Sequence, residues 1–142
     1  MPAHTQIDTI MTRDVVTIAP DDTLMEIREI LHKRGFRHLV VTKGGALVGV
    51  VSDRDVLKAL SPFLDTGAER PRDVNTLVKP ARQFMRSDPV TVGPEATVEE
   101  AGTILLERTI SCLPVVEEDK VLGIVTTKDL LTSYVGTRSA KT

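Results

Sequence analysis

GVVSDRD at residues 49–55 and GIVTTKD at residues 123–129 decide how this chain is read. Each runs glycine, two β-branched residues, a hydroxyl, two polar residues and an aspartate, and the two lie 74 positions apart. Sliding the chain against itself by 74 residues aligns much more than these stretches. Met11 falls on Met85, Asp14 on Asp88, Thr17 on Thr91, Pro20 on Pro94 and Thr23 on Thr97. Glu26 meets Glu100, Ile30 meets Ile104, Leu31 meets Leu105, Arg34 meets Arg108, Leu39 meets Leu113 and Val41 meets Val115. No gap is needed between residues 10 and 60. Such a register implies two copies of one supersecondary unit.

Within each copy the local signals agree. VVTIAP (15–20) and PVTVGP (89–94) are short β-rich runs stopped by proline. A helix is expected after each, opened by Asp21 or Asp22 in the first copy and by Glu95 in the second. Its apolar stripe is Leu24, Ile27, Ile30 and Leu31, or Val98, Ala101, Ile104 and Leu105. Gly35 is a natural helix stop, whereas Thr109 in the second copy implies a different cap. HLVVTKGGALVGVVS and CLPVVEEDKVLGIVT then read as strand pairs around tight turns, with Gly44 and Gly45 free to take positive φ. A last helix is expected over Asp53–Leu60 and Thr127–Tyr134.

The unit is therefore β-α-β-β-α, twice, an α+β fold. Between the copies, SPFLDTGAERPRDVNTLVKPARQ holds three prolines and many charges and reads as a surface connection. Its end, VKPARQFM, matches HTQIDTIM before the first copy, so each unit is expected to carry a short leading helix. The expected boundaries are 7–61, a linker over 62–77, 78–136 and a flexible tail over 137–142. One such unit alone would expose a wide apolar sheet face. Two copies packed sheet to sheet bury it.

Composition narrows the function classes. The chain of 142 residues is 41% hydrophobic with no tryptophan and one tyrosine, so aliphatic residues must fill the core. The 18 basic and 20 acidic side chains leave a net charge of −2, a poor footprint for nucleic acid. No apolar run approaches the roughly 18 residues of a membrane helix, and MPAHTQIDTIMTRD has no signal-peptide pattern. The single cysteine, Cys112, allows no internal disulfide. A cytoplasmic protein is expected. His4 and His32 make no metal set with His38, and no nucleophile, base or Walker constellation of an enzyme is visible.

Ser52-x-x-Asp55 and Thr126-x-x-Asp129 admit two readings. As local structure each is a capping box, with the hydroxyl and the acid satisfying free helix N–H groups. As a site, the same corner offers phosphate oxygens a helix N-terminus and a hydroxyl, and offers a ribose a carboxylate.

The DTIM and QFM starts, the strand–Pro–x–x–Thr–helix opening, SCLPVV and the two Gly-h-h-[Ser/Thr]-x-x-Asp endings together resemble the cystathionine-β-synthase (CBS) domain. The likeness runs from about Ile7 to Val135 and corresponds to a tandem pair with pseudo-two-fold symmetry. It implies two clefts for adenosine-containing ligands, each taking strand residues from one copy and its Asp from the other. One cleft would combine Val16, Phe36, Arg37, His38 and Leu39 with Thr126, Lys128 and Asp129. The other would combine Val90, Ile110, Ser111, Cys112 and Pro114 with Ser52, Arg54 and Asp55. Asp129 or Asp55 would take ribose hydroxyls, and Thr126, Ser52 and nearby cations would face phosphate. The first cleft is favoured for Arg37 and His38, and it carries Val40 where the second has Pro114.

The resemblance thus implies a non-catalytic regulatory module that binds AMP, ADP or ATP, with S-adenosylmethionine or NAD as further ligands, and has no catalytic cofactor. It would form a homodimer and act on an effector protein in trans. The competing reading is a structural dimerisation module with empty clefts.

Overall fold

A computed structural model describes residues 5–140, with side chains as far as residue 136. The 74-residue register reappears in it element by element. The chain divides into two units, Val16–Asp88 and Met1–Val15 with Pro89–Thr142.

In the unit Val16–Asp88, β1 is only Thr17–Ile18. Helix α1 spans Leu24–Arg34, its first turn capped by Thr23 Oγ1, which accepts the Glu26 N–H at 3.3 Å. The expected caps serve elsewhere: Asp22 Oδ2 closes the preceding turn on the Ala19 N–H at 2.8 Å, and Asp21 pairs with Arg82. Leu24 and Ile27 are buried, with Ile30 and Leu31 packed beside them. Gly35 ends the helix at φ 69°. Strands β2 (His38–Lys43) and β3 (Ala46–Ser52) form the expected hairpin, with Gly44 at φ 60° and Gly45 at φ 85°. Helix α2 follows over Asp53–Ala59, then a short α3 over Pro71–Val74 and β4 over Arg86–Ser87. The sheet order is β1-β2-β3-β4, with β1 parallel to β2 and the other pairs antiparallel.

The connection between the copies is not bare surface chain. Asp73 in α3 is 5% exposed. Its carboxylate accepts the Ser61 hydroxyl at 2.6 Å and the Arg70 N–H at 2.7 Å. These bonds, the Ser61 hydroxyl first, hold its pKa below the usual carboxylate value.

The other unit repeats the pattern with α4 (Val98–Arg108), β5 (Cys112–Glu117), β6 (Lys120–Thr126) and α5 (Thr127–Ala140). The pairing of β5 with β6, from Cys112↔Thr126 to Glu117↔Lys120, copies that of β2 with β3, including the bulge. Thr97, not Glu95, caps α4. Thr109 takes the same left-handed conformation as Gly35, at φ 53°, so the two caps are alike. The stretch 89–94 contributes only a bridge of Val92 to Val115. Helix α5 runs past Tyr134 to Ala140; Lys141 and Thr142 of the expected tail, like His4, lie outside the described residues.

The leading segments are single 3₁₀ turns, Ile7–Thr9 and Ala81–Gln83, and each packs with the copy it does not precede. Ile7 and Met11 are buried with Val98, Ala101, Leu105, Leu113, Val115 and Val125. Ala81 is buried with Ile18, Leu24, Ile27, Leu39, Val41 and Val51. Burial of a large aliphatic side chain contributes about 1.5–3 kcal/mol, so Ile7 is a substantial part of the second copy's core. No helix among the described residues is long and apolar enough to cross a membrane.

Candidate functional site

Each copy brings its strand start and its Gly-h-h-[Ser/Thr]-x-x-Asp corner together within one unit. In the first, His38 pairs with Ser52 in the β2–β3 register, and the Asp53 N–H donates to the Arg37 carbonyl at 2.9 Å. Val16 joins through its carbonyl, which accepts the Val40 N–H at 3.1 Å. Arg37 and Arg54 are exposed, while Phe36, His38 and Asp55 are half-buried. Leu39 is fully buried in the core, so it offers a ligand its backbone rather than its side chain.

The second unit reproduces this arrangement. Cys112 pairs with Thr126, and the Thr127 N–H donates to the Ser111 carbonyl at 3.1 Å. Pro114 is fully buried, with its carbonyl accepting the Val92 N–H at 3.1 Å, and Val90 and Ile110 flank the core. Lys128 is exposed. Burial, and after it the Asp129 charge, pushes the Cys112 thiol up to about 12. That thiol is no nucleophile at neutral pH.

The two aspartates are held alike and then differ. Asp55 Oδ2 accepts the Ser52 N–H at 2.9 Å while Ser52 Oγ accepts the Asp55 N–H at 3.1 Å, a full capping box. Thr126 and Asp129 make the same pair at 3.0 and 3.1 Å. The cap therefore uses one carboxylate oxygen in each copy. Asp55 Oδ1 has no hydrogen-bond partner among the described residues. Asp129 is further bound by the Thr12 hydroxyl, 2.9 Å from Oδ1 and 3.1 Å from Oδ2. The position matching Thr12 in the other copy is Arg86.

Two neighbours of the site escape sequence reasoning. Thr12 reaches Asp129 only because the leading segment packs with the other copy. Arg34 sets its guanidinium 5.2 Å from the centroid of the Phe36 ring, a cation–π contact worth about 0.5–1 kcal/mol at an exposed site. The spacing of Arg34 and Phe36 around the Gly35 turn is the one local signal that could have pointed to it.

Comparison with known proteins bears on this arrangement. A family model described as the CBS domain matches residues 7–62 and again 81–136. An inosine-5'-monophosphate dehydrogenase of Korarchaeum cryptofilum is 36% identical over 124 residues, 87% of this chain and 23% of that protein. Protein MJ1225 of Methanocaldococcus jannaschii is 30% identical over 131 residues, 88% of this chain and 45% of that protein. The chain thus spans less than half the length of both relatives. The crystal structure of MJ1225 superposes with a TM-score of 0.81 at 27% identity, covering 94% of this chain and 49% of that one. The crystal structure of CBSX2 in complex with AMP superposes with a TM-score of 0.77 at 24% identity, covering 94% of this chain and 98% of that one, a likeness of fold. With both copies matched over their length, the chain belongs to the CBS domain family and carries the domain as a tandem pair.

Proposed function

We propose that this chain is a non-catalytic regulatory module that binds an adenosine-containing ligand, AMP, ADP or ATP, and signals to a partner protein in trans. In this reading Asp129 and Asp55 accept ribose hydroxyls, and Thr126 with Lys128, or Ser52 with Arg54, face the phosphates. The observation that carries the reading is the capping geometry: in each copy the cap engages Oδ2 of the aspartate and leaves Oδ1 to other donors. AMP held by the same fold in CBSX2 supports the ligand class.

A ligand can bias the module only by binding one arrangement more tightly than another. A homodimer is the expected assembly, and the chain acts as a cytoplasmic sensor. Isothermal titration with AMP and ATP tests the reading. Removing hydrogen bonds to a charged acceptor costs about 1.5–3 kcal/mol, so Asp129→Ala should weaken binding about tenfold to a hundredfold. Absence of binding by the wild type, or equal binding by Asp129→Ala, overturns it.

A further inference from the structure

The unit Val16–Asp88 carries an open surface pocket of about 300 Å³ lined by Asp55, Lys58, Ala59, Lys79, Gln83 and Phe84. That volume is at the small end of ligand pockets, which run from roughly 300 to 1,000 Å³. One wall is a face of α2, since Asp55, Lys58 and Ala59 stand three and four residues apart. The other is the segment entering and leaving the 3₁₀ turn Ala81–Gln83. Its backbone is fixed: the Ala81 N–H donates to the Asp22 carbonyl at 2.8 Å and the Arg82 N–H to the Pro20 carbonyl at 2.9 Å.

Both walls carry a cation. Lys79 Nζ donates to the Ala59 carbonyl at 3.2 Å, which aims the ammonium across the end of α2 and leaves it two further protons. The Lys58 ammonium has no partner among the described residues. Asp55 lines the same pocket, with Oδ2 engaged by the Ser52 N–H and Oδ1 without a hydrogen-bond partner among the described residues. Gln83 adds a carboxamide, and Phe84 and Ala59 add apolar lining. The matching residues of the second copy are Asp129, Thr132, Ser133, Thr5, Thr9 and Ile10. Both lysines are absent there, so the basic character belongs to one copy alone.

We propose that this pocket binds a small phosphate monoester that also carries hydroxyl groups. The phosphate bridges Lys58 and Lys79 through charge-assisted hydrogen bonds, a hydroxyl donates to Asp55 Oδ1, and the body of the ligand lies over Phe84. The carboxylate sets the specificity. It repels a bare inorganic phosphate across the same small space and rewards a ligand that brings its own hydroxyl. Asp55 is also a ribose acceptor in the proposed nucleotide reading, to which Lys58, Lys79, Gln83 and Phe84 do not belong.

Titration calorimetry of the full chain with ribose 5-phosphate tests this, with ribose and inorganic phosphate alongside. The expected result is saturable binding of ribose 5-phosphate and at least tenfold weaker binding of the other two. Lys58→Met, at an exposed position that leaves folding intact, should weaken ribose 5-phosphate at least tenfold. Lys79→Met should do the same in protein whose circular dichroism is unchanged. Asp129→Ala should leave this binding as it is, and Lys58→Met should leave AMP binding as it is. Those two controls separate the pocket from the nucleotide reading. The proposal is overturned by no saturable binding of ribose 5-phosphate, by wild-type affinity in Lys58→Met, by equal affinity for inorganic phosphate, or by loss of ribose 5-phosphate binding in Asp129→Ala.

Discussion

Gly49 and Gly123 head the two matched motifs, yet alanine should be tolerated at one and not at the other. A Cβ on Gly123 would stand 2.6 Å from the Thr12 carbonyl oxygen, 3.3 Å from its carbon and 3.2 Å from Met11 Sδ. That oxygen accepts the Ile124 N–H at 2.9 Å, and the Thr12 N–H donates to the Ile124 carbonyl at 2.8 Å. Thr12 can retreat only by stretching both bonds, each worth about 1 kcal/mol net. Overpacking of this kind costs about 1–3 kcal/mol, and replacing a glycine returns about 0.4–1 kcal/mol through the unfolded chain. With about 2 kcal/mol for the two strained bonds added and the glycine return subtracted, the balance is a loss of about 2–4.5 kcal/mol, or a Tm lower by about 6–18 °C at roughly 3–4 °C per kcal/mol. At Gly49 the nearest atoms are Met85 Sδ at 2.5 Å and Met85 Cγ and the Arg86 carbonyl oxygen at 3.0 Å. A methionine end can swing aside, so Gly49→Ala should lose only about 0.5–1.5 kcal/mol. Urea unfolding and calorimetry of both variants decide the matter. A Gly123→Ala protein as stable as the wild type, or a larger loss at Gly49, would refute the reasoning.

Thr12→Val keeps the shape of the side chain but deletes its bond to Asp129, and should lower the urea-unfolding free energy by about 1 kcal/mol, with Thr12→Ser close to wild type. Cys112 should resist iodoacetamide at pH 8 until urea unfolds the chain, because its folded pKa of about 12 keeps it a thiol. That folded value lies above the ordinary 9.0, so the stability it contributes is complete below pH 9 and drains away between pH 9 and 12. Cys112→Ala should flatten this part of the stability profile. Asp73 works in the opposite sense: its folded pKa lies below the ordinary 3.8, so its contribution is present above that pH and lost below it. Asp73→Asn should therefore destabilise at pH 7, and a pH series of thermal melts should show the gap closing only as the wild type is acidified below pH 3.8.

What could be read from the chain was whatever a short window contains. The hairpins, the α1 and α4 stripes, the Gly35 stop and the Ser52–Asp55 box all lie within a few residues, where turn chemistry and helical period leave few choices. Thr109 shows the limit of residue identity: a left-handed cap costs a threonine conformational strain, but the repeat's packing imposes it all the same. The choice of Thr23 over Asp22 as helix cap follows from competition, since a carboxylate that closes its own turn is no longer available one residue later.

The exchange of leading segments was invisible for a different reason. Ile7 and Ala81 occupy equivalent positions before equivalent copies, and nothing local distinguishes packing with the copy that follows from packing with the other. The exchange governs the site as well as the core. It sets Thr12 against Asp129 and, at the equivalent place, Arg86 beside β3. It also supplies Lys79 and Gln83 to the pocket beside Asp55. Two motifs that match as sequence thereby acquire different neighbours: Asp129 is shared between a cap and a threonine hydroxyl, whereas Asp55 Oδ1 has no partner among the described residues and Asp55 lines one pocket with two lysines. The 74-residue repeat determines where each aspartate stands, and the segment arriving from the other copy determines what each is able to bind.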